Sequence, residues 1–182
     1  MNVGTLTQYG STQYRGEGWQ IIVDPSWYVL RAADYIFATL RSQPDLIRPR
    51  VAIGVGRIET VGSRDLSDAR GPAFEAAGRG LDQTQWIEWL SMRGAEINGF
   101  HTIIVGQIAE RAIKWTAPQV EALSLRLDPD NPILEVIAEA LGISLQATSC
   151  RLQGAGASSL RRSLRAWEDE FELQRNKTDG TP

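Results

Sequence analysis

The stretch from Pro132 to Gln153 constrains the fold of this chain more than any other part of the sequence. Apolar residues at helical spacing lead to Gly142, which suits the positive φ angle of a tight turn. Ser144, two residues later, is a natural N-cap for a following helix. The pattern therefore predicts two short helices joined by a turn. The side chains expected to face inward are Ile133, Val136, Ile137, Leu141, Ile143, Ala147, Thr148 and Leu152.

This arrangement resembles the helix-turn-helix of bacterial regulators and sigma-factor domains. In that motif the outer face of the second helix enters the major groove of DNA. Gln146 can form two hydrogen bonds with adenine, Ser149 can contact several bases, and Arg151 suits phosphate or base. We therefore predict an interface with double-stranded DNA. The residues assigned to it are Leu145, Gln146, Ser149, Cys150, Arg151, Gln153, Arg161 and Arg162.

Local charge supports this interpretation. The whole chain has a net charge of -3, so a nucleic-acid contact requires a basic patch. Residues 144–166 contain four arginines and no acidic residue. Leu145 and Cys150 are apolar, however, and helix pairs of this kind also contact proteins. A protein–protein interaction module therefore remains an alternative.

Composition excludes several classes of protein. Of the 182 residues, 42% are hydrophobic and 23% charged, which is typical of a globular chain rather than a disordered or fibrous one. No apolar run approaches the roughly 20 residues that cross a bilayer, and the first residues lack the pattern of a signal peptide. One cysteine excludes an intrachain disulfide, and one histidine argues against a histidine-rich metal site. We expect a cytoplasmic protein with no membrane partner, no metal and no cofactor.

The two halves of the chain differ in pattern. The first half mixes strand-like and helical segments, and the second reads as successive helices. We expect an α+β domain over 1–98, an all-α domain over 99–175 and a disordered tail over 176–182. The expected strands lie at 5–14, 19–23 and 50–58, with a short strand or irregular link at 91–98. The expected helices begin near 26 and 72 in the first half, and lie near 100–114, 118–127, 132–141, 145–153 and 159–174 in the second.

Three runs in the first half, Arg15–Gln20, Val51–Gly56 and Leu66–Phe74, resemble the SatD-like family of bacterial proteins. They are more distantly similar to class III nucleotidyl cyclase domains. The resemblance extends over residues 13–90 and 114–165. It implies a ferredoxin-like α+β sheet followed by a DNA-binding type of module, and a regulatory role rather than a metabolic one.

Two departures from the cyclase pattern bear on catalysis. Cyclases hold metal ions with two aspartates, whereas Glu17 stands at one of these positions and the strand that carries the other would precede Met1. The run Gly78–Gly80 also lacks the asparagine–arginine pair of cyclases. We therefore expect an incomplete sheet and no catalytic residues. Another subunit covers the open sheet edge, residues 5–14 repack over it, or the native start lies upstream of Met1; of these a homodimer is favoured.

The leading hypothesis is a DNA-binding transcriptional regulator with a non-catalytic N-terminal domain for dimerisation or ligand sensing. The other alternative is a degenerate cyclase-fold enzyme or nucleotide sensor. Gly54 and Gly56 lack the rest of a dinucleotide fingerprint and predict close packing instead. We expect His101 at a helix start or on the surface, and the acidic run 168–170 on a solvated face.

Overall fold

Short strands lie in the first half of the chain, and helices form most of the second. The computed structural model describes residues 11–14, 18–43, 49–62, 66–83 and 88–179. The chain is an α+β protein. Its described strands are β1 (Ser11–Tyr14), β2 (Gly18–Ile21), β3 (Val51–Val55) and β4 (Leu90–Gly94). Its described α-helices are α1 (Val29–Arg41), α2 (Pro72–Gln83), α3 (Gly99–Ala112), α4 (Ala117–Arg126), α5 (Leu134–Leu141), α6 (Leu145–Ala155) and α7 (Ala157–Asp179).

The described strands form two separate pairs rather than the single incomplete ferredoxin-like sheet that the resemblance implied. Strands β1 and β2 are antiparallel, and β3 and β4 are parallel with Val51 opposite Leu90. Helix α2 links β3 to β4 and packs on both, because parallel neighbours need a crossover connection. Gly54 allows this packing, since a Cβ there would overlap the backbone oxygen of Ala73. The predicted role of this glycine in close packing is confirmed.

The chain divides differently from the expected boundary at residue 98. One unit, here called the α/β unit, contains Met1–Val29 and Arg50–Gln107. The other, called the helical unit, contains Leu30–Pro49 and Ile108–Pro182. Helix α1 thus belongs with the C-terminal helices, since the aromatic ring of Phe37 lies 6.2 Å from that of Trp115.

Long-range polar contacts also hold the helical unit together. Arg31 of α1 donates two hydrogen bonds to the carboxylate of Glu168 on α7, at 2.7 and 3.0 Å. Glu168 is therefore not on a solvated face as predicted. At the end of α6, the carbonyl oxygen of Ala155 accepts from Trp115 Nε1 at 2.9 Å and from Arg111 Nε at 3.0 Å. These bonds fix the junction between α6 and α7.

Several other expectations differ from the structure or lie outside it. Helix α7 continues to Asp179, so residues 176–179 are helical and not a disordered tail. His101 is near the start of α3, as expected, but only 2% of it is exposed. Trp19, expected in a buried strand, is 65% exposed. Residues 5–10, 180–182 and Glu17 lie outside the described residues.

No helix in the described part of the chain is long and apolar enough to cross a membrane.

Candidate nucleic-acid interface

The turn between α5 and α6 has the geometry expected from its sequence. Gly142 has a φ of 62°, and its N–H donates to the oxygen of Glu139 while the N–H of Ile143 donates to that of Ala138. These two bonds form a Schellman motif, which satisfies the last carbonyls of α5. The hydroxyl of Ser144 accepts from the N–H of Ala147 at 3.2 Å and so caps α6. The predicted turn glycine and N-cap are confirmed.

The inner face of the pair is only partly as predicted. Ile137 and Thr148 are fully buried, and Leu152 is nearly so. Ile133 and Val136, which were expected to face inward, are 62% and 50% exposed. Ile133 has an extended backbone and precedes α5, so it does not follow the helical spacing. Val136 is about 100° around the helix from Ile137 and therefore points away from the buried side.

Seven of the eight predicted interface residues are exposed. On α6 these are Leu145, Gln146, Ser149, Cys150 and Gln153, and on α7 they are Arg161 and Arg162. The polar positions 146, 149 and 153 follow the spacing of one helix face. The outer face of α6 is thus open over its whole length.

Arg151 is the exception, because it forms an ion pair. Its Nη1 donates to Glu121 Oε2 of α4 at 3.0 Å, and its side chain is 28% exposed. A phosphate would have to compete with this carboxylate. Glu121 lies 30 residues earlier in the chain, so no local spacing indicates the pair.

A cleft in the helical unit brings part of the predicted interface together. Its volume is about 580 Å³, and residues of α4, α5, α6 and α7 line it. Ser149, Gln153 and Arg161 were predicted interface residues, and all three line this cleft. Arg126 of α4 lines it too, although no local feature of the sequence indicated that role.

Arg126 and Arg161 of this cleft, with the neighbouring Arg165, form a cluster of like charge, here called the arginine cluster. Arg126 Nη1 donates to the oxygen of Pro132 at 2.7 Å. Burial lowers the pKa of Arg126, and the neighbouring charges of Arg161 and Arg165 lower it further. None of the three forms an ion pair with a described carboxylate. Because arginine stays protonated, the cluster favours an anion, and its planar donors suit phosphate.

The described residues contain no group of three or more histidine, cysteine or acidic side chains placed to hold a metal ion. Glu17, the position compared with a cyclase metal ligand, lies outside these residues. Cys150 is a free, exposed thiol on α6. Polar and cationic recognition is thus the chemistry that the helical unit offers.

The likeness to the SatD-like family rests on the three N-terminal runs and on the α5–α6 stretch, and it stays a prediction. Protein-family models, curated proteins and solved structures were compared with the chain. None of the three comparisons gave a match.

Proposed function

We propose that this chain is a DNA-binding transcriptional regulator in which α5 and α6 act as a helix-turn-helix. One observation carries the proposal: the exposed polar side chains of Ser149 and Gln153 on α6 line the same cleft as Arg126 and Arg161 of the arginine cluster. A duplex offers both kinds of partner, since its base edges lie between two rows of phosphates.

Helix α6 would read bases in the major groove. Gln146 and Gln153 can each make paired hydrogen bonds with adenine, and Ser149 can contact several bases. Leu145 and Cys150 are apolar and suit the methyl group of thymine. Both side chains are exposed to water, which is unfavourable for apolar groups. Their exposure fits a surface that becomes covered in a complex.

The arginine cluster would hold the phosphate backbone. Each neutralised phosphate releases counterions, so affinity should fall steeply with salt. The carboxylates of Glu135 and Glu139 on α5 are exposed and would repel phosphate. The duplex is therefore expected to approach from the side of α6 and α7.

The α/β unit would serve dimerisation or ligand sensing in this proposal. A homodimer would place two copies of α6 in successive major grooves, about 34 Å apart, on a palindromic site. The DNA footprint of the intact protein would then contain two half-sites one helical turn apart.

Selection from a random pool of duplex DNA, followed by fluorescence anisotropy on the enriched sequence, tests the proposal. Gln146→Ala should weaken binding about tenfold or more and relax preference at one base pair. Gln107→Ala removes another exposed glutamine, from α3, and serves as the control. Failure of the pool to enrich, or equal affinity of the two variants, would contradict the proposal.

A protein-binding role for the same helices has one observation in its favour. Ile133, Val136 and Leu145 are 62%, 50% and 46% exposed, which leaves apolar area on α5 and α6 open to water. In that case Val136→Ser should disrupt a complex with a partner protein, and the wild type should not retain DNA. DNA affinity that is unchanged in Val136→Ser would favour the regulator.

A further inference from the structure

A second cleft lies wholly within the α/β unit, at the carboxyl ends of β3 and β4. Its volume is about 500 Å³. Val55 and Gly56 border it where β3 ends, and Gly94 and Ala95 border it where β4 ends. The start of α2, at Pro72, closes another side. Ligands of sheets with parallel strands commonly bind at this edge, because the loops there diverge and leave a crevice.

Three arginines from different elements line this cleft: Arg57 follows β3, Arg79 is on α2, and Arg93 is on β4. Glu96 is the acidic residue among the lining residues, so the lining carries a net charge of +2. A small cleft that gathers three guanidinium groups at one edge favours an anionic ligand.

Two of these arginines have partners that an anion can displace. Arg57 pairs with Glu59 at 2.9 Å, and Arg79 pairs with Glu75 at 3.4 Å. More than half of each side chain in both pairs is exposed. Water screens such pairs, so each contributes little to stability. The guanidinium groups can therefore turn toward a stronger acceptor at small cost.

Arg93 has no ion pair among the described residues. Its stem runs beside Gly80 of α2, where a Cβ would lie 3.7 Å from Arg93 Cδ. Arg93 thus reaches the cleft with its charge uncompensated.

The backbone at the start of α2 is not the source of donors here. Pro72 has no N–H, and the N–H of Ala73 donates to the oxygen of Arg57 at 3.4 Å. The N–H groups of Phe74 and Glu75 both donate to the oxygen of Gly71, at 3.0 and 3.2 Å. The N-terminus of α2 therefore does not hold an anion here, and the arginine side chains are the candidate donors.

We propose that this cleft binds the phosphate group of a small phosphorylated molecule, with Arg57, Arg79 and Arg93 as its ligands. The planar fork of each guanidinium matches two phosphate oxygens, which gives strong, directional bonds. Val55, Pro72 and Ala76 provide apolar surface for the rest of the molecule. The volume falls in the range of about 300–1,000 Å³ that is usual for such ligands. The inference goes beyond DNA binding and uses residues of the α/β unit alone.

Isothermal titration calorimetry on the full chain at low salt tests the site. The probes are inorganic phosphate, ribose 5-phosphate and adenosine 5′-monophosphate, with ribose and adenosine as phosphate-free controls. The phosphorylated organic probes should bind at one site that Arg93→Gln weakens about tenfold or more. Ala95→Glu places a carboxylate in an exposed turn at the cleft and should abolish binding. Arg70→Gln, an exposed arginine outside the cleft, should change the dissociation constant less than twofold.

Comparing the affinities of these probes identifies the source of the phosphate. Equal affinity for inorganic phosphate would show that the free ion suffices, and tighter binding of adenosine 5′-monophosphate would show that the organic part is also recognised. Either result supports the site provided that Ala95→Glu removes it and Arg161→Gln, in the helical unit, does not. No saturable binding of any probe, or full binding by Ala95→Glu, would overturn the proposal.

Duplex DNA distinguishes this inference from the proposed function. Ala95→Glu should leave DNA affinity unchanged, and Gln146→Ala should leave phosphate binding unchanged. Loss of DNA binding in Ala95→Glu would make the cleft part of a nucleic-acid surface and would overturn the small-molecule assignment.

Discussion

The two arginine-lined clefts of this chain hold their guanidinium groups in different ways. In the helical unit, Arg126 is partly buried, bonded to a backbone carbonyl and crowded by like charges. In the α/β unit, Arg57 and Arg79 are exposed and paired with nearby glutamates. The first arrangement keeps positive charge uncompensated beside an open helix face, which suits an extended polyanion. In the second arrangement, arginines can leave weak ion pairs with glutamates to bind a ligand, which suits a small molecule.

The largest effect should come from Gly54→Ala, which disrupts the packing of α2 on β3 beside the α/β cleft. The added Cβ would overlap the oxygen of Ala73 and lie 2.7 Å from the nitrogen of Ala77, so α2 must move off β3. We expect a loss of about 3 kcal/mol in unfolding free energy, measured by urea denaturation. Gly78→Ala on the same helix meets nothing within 4 Å and should be neutral or stabilising. Equal tolerance of both changes would refute the close packing of α2 on β3.

Removing charge from one cleft at a time tests whether the clefts serve different ligands. The double variant Arg161→Gln/Arg165→Gln should weaken DNA binding roughly thirtyfold and reduce the slope of log K against log salt by about 2. The matched variant Arg57→Gln/Arg79→Gln removes the same charge from the α/β cleft and should leave DNA affinity within about twofold. Similar losses from both variants would mean that the net charge of the chain, rather than the arginine cluster, governs binding.

Among the described residues, the helical unit contains a fully buried carboxyl group, and the α/β unit does not. Asp34 of α1 is fully buried, and neither of its oxygens has a hydrogen-bond partner among the described residues. Burial raises its pKa well above the usual value, and the charge of Arg31 opposes this only in part. The folded protein therefore holds the proton on the Asp34 carboxyl more tightly than the unfolded chain does. This tighter binding contributes to the free energy of unfolding at low pH, and the contribution is lost as pH rises through the folded-state pKa.

Asp34→Asn should consequently stabilise the protein by about 1–2 kcal/mol at pH 8 and by much less near pH 4.5. Urea unfolding at several pH values measures the difference. Asp169→Asn changes an exposed carboxyl on α7 and should show no such trend. A constant effect of Asp34→Asn across this pH range would show that Asp34 titrates normally.

The smallest effect should follow Gly142→Ala, at the turn beside the helical cleft. Nothing lies within 4 Å of the position a Cβ would take, so the cost is only that of a φ of 62° for a residue with a side chain. We expect a loss of about 1 kcal/mol in unfolding free energy. Gly106→Ala, within α3 and equally open, should instead stabilise. Equal responses at both sites would show that the left-handed turn is not required.

Sequence reasoning succeeded where a feature depends on neighbouring residues. Gly142 and Ser144 were identified because a left-handed turn and an N-cap each have a local chemical signature. The α+β class and most element positions followed from periodicity. Ile133 was misplaced because spacing alone did not show that α5 begins one residue later.

The remaining features depend on contacts between distant parts of the chain. Sequence patterns locate β3 and give residues 91–98 as a short strand or an irregular link, but they do not indicate that β3 and β4 pair in parallel. The Arg151–Glu121 pair joins residues 30 positions apart, and Arg126 reaches the cleft from α4. The grouping of α1 with the C-terminal helices was likewise unpredictable, because Phe37 and Trp115 are remote in sequence.

The shared carbonyl of Ala155 makes the indole of Trp115 an internal optical reporter. If α6 moves relative to Trp115 when it binds DNA as proposed, the bond from Trp115 Nε1 is stretched or broken. Emission from a buried indole responds to such a change in its surroundings, so the difference in fluorescence between the wild type and Trp115→Phe would record that movement without an attached dye.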